Sequence, residues 1–224
     1  MAQTVQSWCN TDTEENAMND DHRDLWARMI RMTKESDLSG KTVLDFGCNQ
    51  GGFLKMLHKQ RPFKNAIGVD IAQASLETAT LNLEGEPIDY MNTGLLARYT
   101  DYFDIAYSHE VLYLLSDLRE HARVIKSCLK EGGVYYAAIG CHTGNPLWPE
   151  WRKLISSYSN VKVQDYSPDD YADAFFREGF SVSALPFAMD DFIPLKPRNE
   201  YFPKVQDSLD YYTRDKIFFR FQKN

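Results

Sequence analysis

The sequence predicts an α/β fold in which a mostly parallel sheet carries helices on both faces. Short apolar runs alternate with amphipathic stretches along most of the chain, which is typical of repeated strand–helix–strand units. Two of these runs, residues 42–45 and 66–70, end in an acid, and a glycine-rich turn follows the first. With 224 residues the chain has the length of one large domain, which we expect to span residues 1–224.

Each element follows from its local pattern. Apolar runs predict strands over residues 42–45, 66–70, 88–91, 102–108, 129–136, 180–186 and 216–221. Helical spacing of apolar residues predicts helices over residues 20–33, 51–60, 73–83, 118–129, 145–159 and 167–179. Ser167 is placed as the N-cap of the last helix, with Pro168 in its first turn. Gly132 is expected to end the helix over residues 118–129.

The turn after the first strand predicts a ligand site. Gly47, Gly51 and Gly52 let the backbone pass close to a ligand, and the helix that follows presents free N–H groups. Asp70 ends the second strand, where a carboxylate is well placed to accept hydrogen bonds from two ribose hydroxyls. These features predict a nucleoside-containing cofactor across the ends of the first two strands.

Two features favour S-adenosylmethionine over NAD as that cofactor. The G-x-G-x-x-G spacing of a dinucleotide site is incomplete, because Asn49 occupies its middle position. Asp45 stands two residues before Gly47, where its carboxylate would repel a pyrophosphate in a poorly screened cleft. A cationic sulfonium and an ammonium group tolerate the same carboxylate.

The stretch Asp45-x-Gly47-x-Asn49-x-Gly51 resembles the first motif of the Rossmann-like S-adenosylmethionine-dependent methyltransferases, Asp/Glu-x-Gly-x-Gly-x-Gly. Asn49 departs from that pattern, but Asn enters left-handed backbone regions readily, so the loop can keep its shape. The resemblance implies that Asp45, Gly47, Cys48, Asn49 and Gly51 contact the cofactor, and that S-adenosylhomocysteine is the product.

The resemblance continues along the following strands. It implies that Asp70 binds the ribose, that Ile71 packs on the adenine, and that Asn92 and Thr93 lie near the adenine amino group. Ser108 would offer its backbone carbonyl to the ammonium group of the cofactor. Residues 129–133, Leu-Lys-Glu-Gly-Gly, resemble the family's Leu-Lys-Pro-Gly-Gly turn into strand five. The family's sheet has seven strands, and its last strand is antiparallel to the others.

His109, Glu110 and His142 are the candidate catalytic residues, because they follow the fourth and fifth strands near the expected position of the methyl group. Methyl transfer is an in-line displacement that depends mainly on alignment and a desolvated pocket. A general base contributes only when the nucleophile arrives protonated, so the roles of these residues stay open. No set of His, Cys, Asp and Glu has metal-ligand spacing, and no metal is expected.

The methyl acceptor is expected to be a small molecule. A net charge of −7 disfavours a nucleic-acid backbone as partner. No Asn-Pro-Pro-aromatic tetrapeptide follows the fourth strand, which speaks against the amino-methylating nucleic-acid enzymes. A protein or RNA methyltransferase and a non-catalytic S-adenosylmethionine-binding module remain as alternatives.

Three segments outside the strand–helix alternation are expected to cover the acceptor: an N-terminal helical cap in residues 1–40 and two inserts, residues 145–166 and 187–214. Both inserts are rich in aromatic residues, and ligands of open α/β sheets bind beyond the carboxyl ends of the strands. We therefore expect an aromatic-lined lid over the methyl group.

The sequence also bears on location. It has no secretory signal and no apolar run of the ~18 residues that a membrane span requires. Its four cysteines are widely scattered, which favours reduced thiols. We expect a cytoplasmic protein with no membrane partner, and its oligomeric state stays open.

Overall fold

A seven-stranded sheet forms the centre of the protein in the computed structural model, which describes residues 4–8, 22–197 and 199–224. The strands are β1 (Thr42–Phe46), β2 (Asn65–Asp70), β3 (Ile88–Asn92), β4 (Phe103–His109), β5 (Leu129–Ile139), β6 (Phe180–Pro186) and β7 (Ile217–Lys223). Their order across the sheet is β3-β2-β1-β4-β5-β7-β6. β7 is antiparallel to both of its neighbours, and the other pairs are parallel. The predicted sheet with its antiparallel last strand is confirmed.

The strand order reverses at β1, because the chain moves outward through β2 and β3 and then returns to place β4 on the other side of β1. Loops that leave neighbouring strands at such a point diverge and open a crevice at the carboxyl ends of the strands. The topology therefore places the predicted site between the loops that follow β1, β2 and β4.

Helices cover the sheet on both faces. They are α1 (Arg23–Met32), α2 (Gly52–Gln60), α3 (Gln73–Leu81), α4 (Leu118–Cys128), α5 (Trp148–Tyr158), α6 (Pro168–Arg177) and α7 (Val205–Asp210). Thr93–Arg98 and Leu112–Leu114 form 3₁₀ turns, and Tyr211–Asp215 forms a π-helical turn. α7 lies inside the second predicted insert and the π-helical turn begins there; neither was predicted. No helix in the described ranges has the length and apolarity needed to cross a bilayer.

The two faces of the sheet bury separate cores. Val43 of β1 packs with Met29 of α1 and Leu57 of α2, whereas its neighbour Leu44 packs with Ile125 of α4 on the opposite face. Successive residues of a strand point to opposite faces, so a strand that is apolar throughout can serve both cores.

The predicted start of α6 is confirmed. Ser167 accepts a hydrogen bond from the Asp170 backbone N–H, and the Asp170 carboxylate accepts one from the Ser167 backbone N–H, with Pro168 in the first turn. These reciprocal bonds satisfy two donors that a helix start otherwise leaves unpaired.

The prediction that Gly132 ends the helix over residues 118–129 is wrong. α4 ends at Cys128, and the chain passes directly into β5, which begins at Leu129. Gly132 has a φ of 73° and lies where the register jumps from Phe103↔Leu129 to Ile105↔Val134. The Leu-Lys-Glu-Gly-Gly segment is thus an irregularity inside β5, and its positive φ makes room for the extra residues.

We predict that Phe175→Ala lowers the free energy of unfolding by about 3–5 kcal/mol. The Phe175 ring is fully buried, with its centroid 3.8 Å from that of Phe221, so truncation leaves a cavity between α6 and the sheet. Its neighbour Phe176 is 53% exposed, and Phe176→Ala should change stability by no more than about 0.5 kcal/mol. Urea unfolding of both variants measures the difference, and equal losses would contradict this assignment of the core face.

Candidate functional site

Two adjoining cavities lie at the carboxyl ends of the strands. The first has a volume of about 520 Å³ and is lined by the loop after β1 and by the tips of β2 and β4. The second has a volume of about 550 Å³ and is lined mainly by α5 and by residues 189–212. His22 and Glu110 line both cavities, so the two spaces meet at these side chains. We call this meeting point the junction.

The loop after β1 is held open by backbone conformations that few residues adopt. Gly47 has a φ of +81°, and a Cβ at this position would lie 2.4 Å from a methyl group of Val111. Asn49 has a φ of +46°, so the expectation that Asn enters the left-handed region here is confirmed. The Asn49 side chain turns back to accept a hydrogen bond of 2.6 Å from the Gln50 backbone N–H. It therefore supports the loop shape that the family obtains with glycine.

Asp45 presents a buried carboxylate to the first cavity. Its side chain is 4% exposed, and Oδ2 has no hydrogen-bond partner among the described residues. Burial, together with the nearby negative charge of Asp70, raises the pKa of Asp45 to about 8. An unpaired carboxylate in this position is costly in the empty protein and favours a cationic ligand.

Asp70 ties together the loops that follow β1 and β2. One carboxylate oxygen accepts the Asn49 backbone N–H and the other accepts the Ala72 backbone N–H, both at 2.9 Å. Burial raises the pKa of Asp70, although these N–H donors oppose the increase. Each oxygen keeps a second lone pair, and the side chain lines the first cavity.

Most of the predicted site residues lie around the first cavity. Its walls include Asp45, Gly47, Cys48, Asn49, Asp70, Ile71, Thr93, Ser108, His109 and Glu110. Gly51 and Asn92 are not among its lining residues. The carbonyl of Gly51 accepts a hydrogen bond from the Tyr90 hydroxyl, and the Asn92 side chain accepts one from Gly94 N–H at the start of a 3₁₀ turn. Both residues support the loops behind the cavity.

The N-terminal segment contributes residues that were not predicted. Val5 accepts a hydrogen bond from Gln73 N–H and donates one to the Ile71 carbonyl, which fixes the segment across the tip of β2. Val5 and Trp8 consequently line the first cavity. Their segment is polar and lacks a periodic pattern, so the sequence carried no signal for this contact. Residues 9–21, which the sequence assigns to the same cap, lie outside the described residues.

The predicted covering segments surround the cavities. α1 and residues 145–166 contribute to both of them, and residues 189–212 contribute to the second. Asp190 forms ion pairs of 2.7 and 2.8 Å with Arg28 and Arg31, which join the second insert to α1. Among the aromatic residues of the inserts, Trp151 lines the second cavity, whereas Trp148 is a core residue whose Nε1–H bonds Asp165.

A family model described as a methyltransferase domain matches residues 18–185. The chain belongs to this methyltransferase family. The match covers most of the chain and includes both acid-tipped strands, the glycine-rich loop and β4. It confirms the resemblance to Rossmann-like S-adenosylmethionine-dependent methyltransferases and the expectation of an enzyme. No curated protein matches the sequence.

Solved structures share the fold of the methyltransferase at low identity. A complex of the Haloferax volcanii Trm112 methyltransferase activator with a methyltransferase matches with a TM-score of 0.81 at 20% identity, over 94% of each chain. An S-adenosylmethionine-dependent methyltransferase from Mesorhizobium loti has a TM-score of 0.67 at 17% identity, over 91% of this chain and 99% of that one. Geranyl diphosphate C-methyltransferase from Streptomyces coelicolor, solved with S-adenosylhomocysteine, has a TM-score of 0.68 at 13% identity, over 95% and 84%.

Glu110 is the most constrained of the three catalytic candidates in the methyltransferase. It has a φ of +52°, and its carboxylate accepts hydrogen bonds from the Gly140 backbone N–H and the Tyr211 hydroxyl. It also pairs with Lys216, whose side chain is fully buried. Burial would raise the pKa of Glu110, but Lys216 and the hydrogen-bond donors bring it below its usual range. A carboxylate stabilised in this way is a weak base.

The two histidine candidates differ in position. His109 lines the first cavity, but both of its ring nitrogens are buried and have no partner among the described residues. Burial and the positive charge of Lys216 hold the pKa of His109 well below its usual value, so the ring is neutral. His142 lines neither cavity, and its Nε2 bonds the Asp215 carbonyl at 2.7 Å. The structure therefore brings His109 and Glu110 together and leaves His142 outside.

The imidazole at the junction belongs to His22, immediately before α1. Its ring lies edge-on to that of His109, with the centroids 4.6 Å apart. The sequence alone favours a solvent-facing position for His22. Only the docking of α1 against the tip of β4 brings its ring between the two cavities.

No metal centre accompanies these residues in the described part of the chain. There, no group of three or more His, Cys, Asp or Glu side chains is placed to hold a metal ion. Cys48, Cys128 and Cys141 are buried free thiols.

We predict that Gly47→Ala destabilises the methyltransferase more than Gly85→Ala does. Both glycines have positive φ, so both substitutions carry a backbone cost of about 1–2 kcal/mol. A Cβ at Gly85 meets open space, whereas one at Gly47 displaces Val111 and adds about 1–3 kcal/mol. Chemical unfolding of both variants checks this difference. Equal destabilisation would show that the close approach of Gly47 to Val111 carries no energetic cost.

Proposed function

We propose that the protein binds S-adenosylmethionine in the first cavity and transfers its methyl group to a small molecule in the second. The bound cofactor supplies an electrophilic methyl carbon on a sulfonium. The observation that carries the proposal is the buried, unpaired carboxylate of Asp45 in a cavity that also contains Asp70. The adjoining second cavity gives an acceptor a place within reach.

Each predicted residue has a role in this arrangement. Asp45, together with the backbone carbonyl of Ser108, would hold the cofactor's ammonium group. The free lone pairs of Asp70 would accept hydrogen bonds from the two ribose hydroxyls. Ile71 would pack on the adenine ring. The buried hydroxyl of Thr93 has no partner among the described residues and would form a hydrogen bond with the edge of the adenine. Gly47, Cys48 and Asn49 supply the wall along which the cofactor lies.

The size and walls of the second cavity favour a small-molecule acceptor. A volume of about 550 Å³ lies within the range of sites that bind small ligands. Its walls come from elements that pack on each other, namely α5, residues 189–202 and the π-helical turn. A protein or RNA acceptor would instead need an exposed docking surface. These observations support the small-molecule alternative among those that the sequence leaves open.

The chain aligns its acceptor by shape and excludes water with its inserts. In-line displacement requires the nucleophile to stand opposite the sulfur, and the junction is where the two cavities allow such an approach. Glu110 and Lys216 hold the tips of β4 and β7 together at this point. Their role is to keep the geometry rigid, because the low pKa of Glu110 makes it a poor proton acceptor.

We predict that S-adenosylhomocysteine binds and releases close to one proton at pH 7. Asp45, with its pKa of about 8, is mostly protonated in the empty protein, and a bound ammonium group favours its ionised form. Affinity should therefore rise with pH up to about 8 and then level off, as linkage requires. Calorimetry in phosphate and in Tris, whose ionisation enthalpies differ, measures the released proton. Equal heats in the two buffers would contradict the role of Asp45.

We predict that Asp45→Asn weakens S-adenosylhomocysteine binding at least about tenfold and abolishes the proton release, because the ammonium group of the ligand no longer has a carboxylate partner.

The same substitution should change the stability of the protein. The folded-state pKa of Asp45 lies above its unfolded value, so the ionised carboxyl destabilises the empty protein as the pH rises from about 4 to about 8. The variant should therefore unfold at a higher temperature than the native chain at pH 9. NAD serves as the control ligand. If NAD binds and S-adenosylhomocysteine does not, the proposed cofactor is wrong.

A further inference from the structure

The second cavity has a wall of aromatic rings that pack against one another. The Trp151 ring lies edge-on to Tyr201, Phe202 and Tyr211, with centroid distances of 5.6, 5.3 and 4.9 Å. Tyr212 adds a further ring 4.8 Å from that of Tyr211. Such contacts fix the planes of the rings, so the wall offers a ligand a preformed surface for stacked or edge-on aromatic contacts.

The polar atoms of this wall are largely satisfied within the protein. The Tyr158 and Tyr201 hydroxyls bond each other at 2.5 Å, and Trp151 Nε1–H donates to the Tyr201 carbonyl at 2.6 Å. The Tyr211 hydroxyl is held by Glu110. The wall therefore presents carbon faces to a ligand, and the body of that ligand has to be apolar and flat to use them.

The charges around the second cavity disfavour a charged ligand. Among the described residues, the charged side chains that line it are Asp24, Glu110, Lys196 and Lys216, two of each sign. Glu110 and Lys216 are also paired directly. A cationic acceptor would meet Lys216 at the inner end and, on our proposal, the sulfonium of the cofactor beyond it. The equal numbers of acidic and basic side chains around the cavity favour a neutral ligand.

His22 is the imidazole that such a ligand would meet at the junction. Its ring lines both cavities, whereas the nitrogens of His109 are buried behind it. Among the described residues, His109 and Glu110 at the tip of β4 lie beside it, and Asp24, Lys196 and Lys216 line the second cavity together with it. An imidazole in this position can accept a proton from a hydroxyl that points from the second cavity toward the first.

We propose that the acceptor is a neutral aromatic compound and that a hydroxyl on its ring receives the methyl group, with His22 as the proton acceptor. The inference rests on the proposed function. The phenolic oxygen forms a bond to the methyl carbon while the bond from that carbon to sulfur breaks, and its electron pair stays on sulfur. The hydroxyl proton passes to a ring nitrogen of His22 and then to water. The products are an aryl methyl ether and S-adenosylhomocysteine.

The substrate class is tested with 1-naphthol, 1-naphthylamine and decahydro-1-naphthol, which share a two-ring skeleton. Calorimetry first establishes that S-adenosylhomocysteine binds; failure at this step overturns the proposed function. In the presence of S-adenosylhomocysteine, 1-naphthol should bind at least about tenfold more tightly than the saturated alcohol. With S-adenosylmethionine, 1-naphthol should be converted to its methyl ether faster than the amine is methylated. No binding of 1-naphthol, equal binding of the saturated alcohol, or preference for the amine overturns the inference while the proposed function stands.

The aromatic wall is tested with a matched pair at Tyr158. Tyr158 lines the second cavity, and its hydroxyl bonds that of Tyr201. Tyr158→Phe keeps the ring and removes this hydroxyl, so 1-naphthol binding should change less than about threefold. Tyr158→Leu removes the ring and should weaken it at least about fivefold. Binding of S-adenosylhomocysteine to both variants confirms that they fold. Equal effects of the two substitutions overturn the inference.

The role of His22 is tested with His22→Gln. Turnover of 1-naphthol at pH 7 should fall about 100-fold or more, as expected when a general base is lost. The rate of the variant should then rise about tenfold for each pH unit between pH 7 and 9, because the naphthol has to ionise unaided. The native enzyme should show a shallower rise, and binding of 1-naphthol should be retained. Parallel pH profiles for the two proteins overturn the catalytic role of His22.

Discussion

The buried pair of Glu110 and Lys216 is the interaction on which the two-cavity arrangement depends. Glu110 immediately follows β4, accepts a hydrogen bond from the Gly140 backbone N–H immediately after β5, and contacts Lys216 immediately before β7. Three strand ends are thereby fixed at one point, beside the junction. A buried pair of this kind contributes little net stability, but loss of either partner leaves an uncompensated charge that costs about 3–5 kcal/mol. The pair therefore specifies the geometry of the site.

The first cavity contains two acidic side chains, Asp45 and Asp70, whose negative charges disfavour each other. Asp45 and Asp70 lie close enough for the charge of Asp70 to raise the pKa of Asp45, and the Asp45 side chain is only 4% exposed. Asp70 is compensated by backbone N–H groups, whereas Asp45 Oδ2 has no partner among the described residues. The strained loop between them is held by Gly47 and Asn49. A bound cation would favour the ionised form of Asp45, and this is the basis of the proposed selectivity for S-adenosylmethionine.

Most of the side chains that line the second cavity come from segments outside the strand–helix alternation, namely α1 and the two inserts. α1 brings His22 to the junction, the insert after β5 brings Trp151, and the insert after β6 brings the Tyr201–Tyr212 aromatic residues. Asp190, paired with Arg28 and Arg31, joins the outer insert to α1. On the proposed function, α1 and residues 145–166 would border both the cofactor and the acceptor, whereas residues 189–212 would border the acceptor alone.

The sequence by itself determined the sheet, six of the seven described helices and most of the wall of the first cavity. Strand periodicity, a glycine-rich turn and the acids Asp45 and Asp70 act over short distances along the chain, so their pattern can be read without the fold. The sequence did not show that His22 lies between the two cavities or that Glu110 is paired with Lys216. It also did not show that His142 lies outside both cavities, and its prediction that Gly132 ends a helix was wrong. These features depend on contacts between residues that are far apart in the sequence, such as Glu110 and Lys216, and such contacts form only when the elements pack together. Only the tertiary structure, by docking α1 and the inserts on the strand ends, determined which side chains share the second cavity.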